Sequence, residues 1–148
     1  MTEKKSLTTY KAELIKSVKE QVNEAKTAYD LVRLDNVIVV DNSNKNIIAE
    51  MLLELNEFSN VSRKMNENQI VETVNMLLNE YPKLSLQEYQ AFFNKIRAGK
   101  FGQLYESLDG IKIMAFMEEF YHDMLDAYHS FNEENHQQIK RDEQHRDL

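Results

Sequence analysis

Between Lys83 and Tyr105 the chain carries four cations, Lys83, Lys95, Arg97 and Lys100, against one carboxylate, Glu88. Two aromatics, Phe101 and Tyr105, are set among them. Lysine and arginine can follow a phosphate backbone while rings stack on bases, so this pattern is the chemistry of a platform for a single nucleic-acid strand. The plainer alternative is that both rings tuck a loop into the core and the lysines only solvate it. All three glycines of the protein, Gly99, Gly102 and Gly110, fall within twelve residues that begin in this stretch. Glycine serves where a backbone must leave right-handed helical space or be closely approached. Lys95, Arg97, Gly99, Lys100, Phe101, Gly102 and Tyr105 are therefore the candidate binding residues, and they form an elbow between two helices.

Other groupings carry less chemistry. Glu119 and His122, like Asp126 and His129, stand three apart, the spacing at which di-iron bundles present acid and imidazole. Those bundles draw the motif from two helices and add further carboxylates. Here Glu118, Glu119, His122, Asp126 and His129 share one helix, on the face opposite its apolar side, so a solvated polar face is expected and no metal. His136 and His145 fall in a charged tail. Met114, Met117 and Met124 could line an adaptable groove, since thioethers repack easily; core filling is their expected role. Gly99 and Gly102 lack the preceding strand and the lysine–serine pair of a phosphate loop. No serine–histidine–acid set and no paired carboxylates stand out. The chain has no cysteine, which excludes disulfides, thiolate catalysis and cysteine-based zinc sites. A protein without catalytic apparatus or cofactor is expected.

These residues need elements to hold them, and the chain reads as amphipathic helix almost throughout. Leu7, Tyr10, Leu14, Val18, Val22, Ala25, Tyr29 and Val32 step by three or four and predict a first helix over about 7–33. This Leu7–Val32 stripe packs either on the rest of the chain or on a second copy, which would make a homo-oligomer. Val37–Val40 is the one strand-like run, bounded by polar turn residues. A lone strand leaves its backbone groups unpaired, so an extended apolar plug is the favoured reading. A second helix spans Lys45–Phe58. A third spans Glu67–Tyr81, with Asn66 as N-cap and Pro82 ending it. Ser85 and Glu88 make a capping box that starts the fourth, and Gly99 suits the left-handed position that closes it. Asp109 caps a last helix from Gly110, apolar on one side through Phe131. From Asn132 onward nearly every residue is charged or an amide, and a fraying tail is expected. The resulting fold class is all-α: a small bundle of about five helices with a glycine-containing elbow before the last. Its divisions are a helical segment and linker over 1–44, a compact helical domain over 45–131 and a tail over 132–148.

Composition bounds what such a bundle can do. At 148 residues the chain is the size of one domain. The hydrophobic fraction is 42% and the mean hydropathy −0.61, enough for a core beneath long solvated faces. No apolar run reaches the length of a membrane span, so no membrane partner is expected. Met1-Thr-Glu-Lys-Lys leads into polar amphipathic sequence and not into an apolar signal region, which makes the cytoplasm the expected compartment. A net charge of −7 opposes generic binding to nucleic acid, whose phosphates call for clustered cations. A local basic patch would have to do that work alone.

The segments Tyr81-Pro82-x-Leu84-Ser85-Leu86-x-Glu88, Phe92-Phe93-x-Lys95-Ile96-x-x-Gly99-Lys100-Phe101-Gly102-x-Leu104-Tyr105-x-Ser107-Leu108-Asp109-Gly110 and Phe116-x-x-x-Phe120 together resemble small, poorly characterised accessory proteins of bacteriophages and mobile elements, mainly in Bacteroidetes, of a replication-associated type. The resemblance covers about the middle third of the chain. An arginine frequent in that pattern after the last aromatic positions is replaced here by Asp123 and Met124. The resemblance implies a non-enzymatic accessory protein and supplies no catalytic residue. A binding module acting in DNA replication or its control is thus the expected function, with a protein partner, a single-stranded nucleic acid, or both, contacted through the elbow. The alternatives are an acidic phage-encoded inhibitor of a host protein and a virion or assembly component.

Overall fold

The computed structural model describes residues 6–104 and 107–146. Among these, six helices form and no strand: α1 (Leu7–Glu24), α2 (Ala28–Val32), α3 (Lys45–Phe58), α4 (Glu67–Glu80), α5 (Leu86–Arg97) and α6 (Gly110–Arg146). The chain is all-α, as its periodicity implies. α5 lies at the centre, against α1, α3 and α6; α4 packs on α3 and α6, and α2 on α6.

The first helix is not continuous. The chain turns extended at Ala25, and a new helix starts behind Thr27. The cause is a capping box hidden in the apolar stripe. The Thr27 hydroxyl accepts from the Asp30 amide at 3.0 Å, while the Asp30 carboxylate accepts from the amides of Thr27 and Lys26 at 3.3 and 3.2 Å. Local side-chain acceptors thereby outcompete the helical ladder. The break lets α1 lie on α5 while α2 turns onto α6, where Tyr29 meets Phe131 edge-on and its hydroxyl donates to Glu134. Val18, Val22 and Leu31 are buried by this packing. Of the stripe, Leu14, Ala25 and Val32 pack beside these three, whereas Tyr10 is exposed. Two ion pairs, Lys11–Glu50 and Lys19–Glu54, fasten the rim of α1 to α3 at 2.5 and 2.8 Å.

Val37–Val40 solves its backbone problem at a helix end. Ile38 and Val40 pack inward, and Val37 and Val39 face out. The Leu86 amide, an orphan donor at the start of α5, donates to the Ile38 carbonyl at 2.9 Å. The Ile38 amide in turn donates to Gln87 Oε1 at 3.0 Å, and Gln87 Nε2 donates to Gln21 of α1 at 2.8 Å. One buried glutamine thus ties α1, the extended run and α5 together. Buried Asn56 does the same between α3 and the next loop, exchanging hydrogen bonds of 3.0 and 2.9 Å with the backbone of Met65. Buried Tyr89 places its hydroxyl 2.9 Å from the Tyr81 carbonyl and 3.2 Å from that of Leu77, at the C-terminal end of α4.

α4 and α5 begin where the caps place them. Asn66 with Gln69, and Ser85 with Glu88, close capping boxes. Asp109 Oδ1 accepts from the Lys112 amide at 2.9 Å and starts α6. Gly110 stands there because α6 enters against α4: a Cβ on it would lie 2.7 Å from Thr73 Oγ1. α6 does not stop at Phe131. It stays helical through Arg146, and the described side chains beyond Phe131 are exposed. The tail expected to fray from Asn132 is helix, because it contains no glycine or proline to break one.

Candidate functional site

Gly99 closes α5 in a Schellman motif. Its φ is +73°, its amide donates to the Ile96 carbonyl at 3.0 Å, and the Lys100 amide donates to the Lys95 carbonyl at 3.0 Å. Gly102 follows at φ +107°, with its amide on the Gly99 carbonyl at 3.1 Å. Beyond them the Leu108 amide reaches the Arg63 carbonyl at 3.2 Å and pins the elbow to the α3–α4 loop.

The elbow separates two clefts. The first, of about 340 Å³, opens between the α1–α2 turn, α5 and α6, and Lys26, Lys95 and Lys100 border it. Its floor is aliphatic, with Val22, Leu31 and four alanines. The second, of about 330 Å³, lies on the α3 side and includes Phe58, Arg97, Gly99 and Gly102. There the Arg97 guanidinium stands 4.9 Å from the centroid of the Phe58 ring, a large aromatic that is 62% exposed. The Lys95 ammonium stands 5.5 Å from the centroid of the Phe120 ring, which is buried. Both are cation–π contacts.

Phe101 does not offer its ring outward. It stacks on Phe116 at 5.2 Å with 14° between planes and meets Phe92 at 5.9 Å, filling the gap between α5 and α6. The aromatic half of a strand platform is therefore missing at Phe101. Tyr105 lies outside the described residues. Lys83 sits at the opposite end of α5, about 18 Å of helix away, and borders a different cleft with Tyr121 and Tyr128. Lys95, Arg97, Gly99, Lys100, Phe101 and Gly102 come together as one segment, but they point to different places.

Glu88 does not neutralise this segment. It is 4% exposed, and its oxygens accept from the Ser85 amide at 3.0 Å and the Tyr128 hydroxyl at 3.1 Å. Burial, then the charge of Glu88 and this hydrogen bond, push the Tyr128 hydroxyl up to about 12. The cation that sequence spacing missed is Lys26. Its signal was the Thr27–Asp30 capping pair, which breaks the helix and sets exposed Lys26 at the border of the cleft, with its ammonium on the Asn23 carbonyl near the end of α1 at 2.6 Å.

On α6, Glu118, Glu119, His122, Asp126 and His129 are all exposed, and no group of three or more metal-ligating side chains gathers among the described residues. Met117 and Met124 are buried in the core and Met114 packs against it. No helix among the described residues is long and apolar enough to cross a membrane. No protein-family model, curated protein or solved structure matches the chain.

Proposed function

We propose that the protein is a non-enzymatic binding module, an accessory protein of phage or mobile-element type in DNA replication or its control, that holds a protein partner at the elbow. One observation carries this: Lys26, Lys95 and Lys100 converge on an apolar-floored cleft in a chain of net charge −7. A concave surface with an aliphatic floor and a few placed polar groups is what binding sites look like. The inward packing of Phe101 favours a protein over a stacked nucleic-acid strand. The burial of Val18 and Val22 against the rest of the chain leaves less apolar surface on α1 for an assembly component to use. The replication setting comes from the resemblance of the segment around the elbow.

The test is affinity capture with the tagged full-length chain and a Lys95→Glu/Lys100→Glu variant in the native cell, read by quantitative mass spectrometry. Replication proteins enriched by the parent chain and lost with the variant are expected. The same proteins captured by both chains, or only virion proteins, would overturn the reading.

A further inference from the structure

We infer that the cleft between the α1–α2 turn and the C-terminal end of α5 is a docking site for an acidic peptide, a short segment of a partner protein in which carboxylates flank one branched apolar side chain. This rests on the protein partner proposed for the elbow and names its chemistry.

The Schellman motif supplies the first reason. In that motif the residue after the left-handed glycine commonly makes an apolar contact with the residue whose carbonyl it bonds. Here those two positions are Lys100 and Lys95, joined by the 3.0 Å bond from amide to carbonyl. Two cations thus occupy a pairing that favours apolar groups. The negative end of the α5 dipole offsets part of their repulsion, and Lys26, on the Asn23 carbonyl at the end of α1, adds a third cation from another element. None of the residues bordering the cleft is acidic, and none of the three lysines makes an ion pair among the described residues. The cleft lining brings cations and no carboxylate, so an incoming carboxylate gains Coulomb energy there.

The floor supplies the second reason. Ala25, Ala28, Ala91 and Ala98 make the lining aliphatic, with room for a branched apolar side chain. Asn94 spends its side-chain oxygen on Gln90 Nε2 at 2.9 Å, and its amide hydrogens have no acceptor among the described residues. As a lining residue, Asn94 keeps them for a peptide carbonyl. The one ring at the cleft, Phe120, is 1% exposed beneath the Lys95 ammonium. A base would find no face to stack on, and stacking is what sequence-tolerant strand binding needs. A peptide carboxylate is therefore favoured over a nucleic-acid phosphate.

The test is fluorescence anisotropy with the full-length chain and a labelled peptide carrying Asp-Glu-Leu-Asp-Glu between Gly-Ser flanks. Two companion peptides replace the leucine by glycine, or the acids by their amides. Labelled oligo-dT serves as the nucleic-acid probe. Lys26→Gln with Lys100→Gln removes rim charge at exposed positions, and Ala98→Leu fills the floor without changing charge. Saturable binding of the first peptide, weakened by salt, is expected. Either companion peptide and either variant should weaken it on the order of tenfold, with the variants' melting temperatures unchanged. Absence of saturable binding, equal binding by the parent chain and both variants, or tighter binding of oligo-dT would overturn the proposal. If the peptide fails while capture of replication proteins still depends on Lys95 and Lys100, only the docking chemistry is wrong. If the peptide binds and capture ignores the elbow, the cleft stands and the replication role falls.

Discussion

At Gly99 a Cβ would meet nothing within 4 Å, so the demand there is conformational. Gly99→Ala should cost about 1 kcal/mol through the positive φ alone. At Gly110 the demand is steric, because the same Cβ would strike Thr73 Oγ1. Gly110→Ala should cost about 1–3 kcal/mol, and Thr73→Ala in the same chain should recover much of it. Urea unfolding of the single and double variants reads both, and additive costs at positions 73 and 110 would refute the clash. Tyr128 ties stability to alkaline pH. The folded chain holds its proton more tightly than the unfolded chain, whose tyrosine titrates near 10.0, so this contribution is whole below pH 10 and drains away toward about 12. Thermal melts across that window should fall less steeply for Tyr128→Phe than for the parent chain; equal slopes would show that the hydroxyl is not linked to folding. The left-handed turn at Gly99 was legible because its signals are local: an apolar run, a basic last turn and a glycine. The inward turn of Phe101 was legible as the plainer reading of that ring, but its stacking partner Phe116, on another helix, was not. The isolation of Glu88 was half legible, its capping bond from spacing and its Tyr128 bond only from the fold.

Helix starts were the most readable elements, because a cap is settled within four residues. Ser85→Ala should lower stability by about 1 kcal/mol, since the Glu88 amide it serves at 3.1 Å is buried. An unchanged melting temperature would mean that the capping box does not hold the start of α5. The same physics hid the break at Thr27. Its capping pair lies inside an unbroken stripe of apolar residues, and periodicity read over a long window overrode a signal four residues wide. Val37–Val40 was legible as extended and apolar, but not in its partner. Its hydrogen bonds go to the start of α5, nearly fifty positions on, and no local pattern announces them. The end of α6 was placed too early for the opposite reason. Polarity on all sides argues against packing, but it does not forbid a helix with no breaker in it.

At the scale of the molecule, α1 and α2 are part of the packing of α5 and α6. Deleting residues 1–44 should strip the Ile38 carbonyl from the Leu86 amide, expose the faces that Val18, Val22 and Leu31 cover, and lower both solubility and melting cooperativity. A truncated chain that stays soluble and equally stable would show the segment to be dispensable. The bundle itself was readable as all-α from periodicity, whereas the cleft that joins Lys26 to Lys95 and Lys100 exists only once α1 and α2 part. The length of α6 has one more consequence. Its first two-thirds answer to the whole fold, and its last turns answer to themselves beyond the contacts of Tyr29 with Phe131 and Glu134. A lone helix of that length is marginal in water. Amide hydrogen exchange along α6 should therefore be slow through Met124, quicken past Glu134 and approach that of a free peptide near Arg146. Uniform protection to the end would mean that something else holds it.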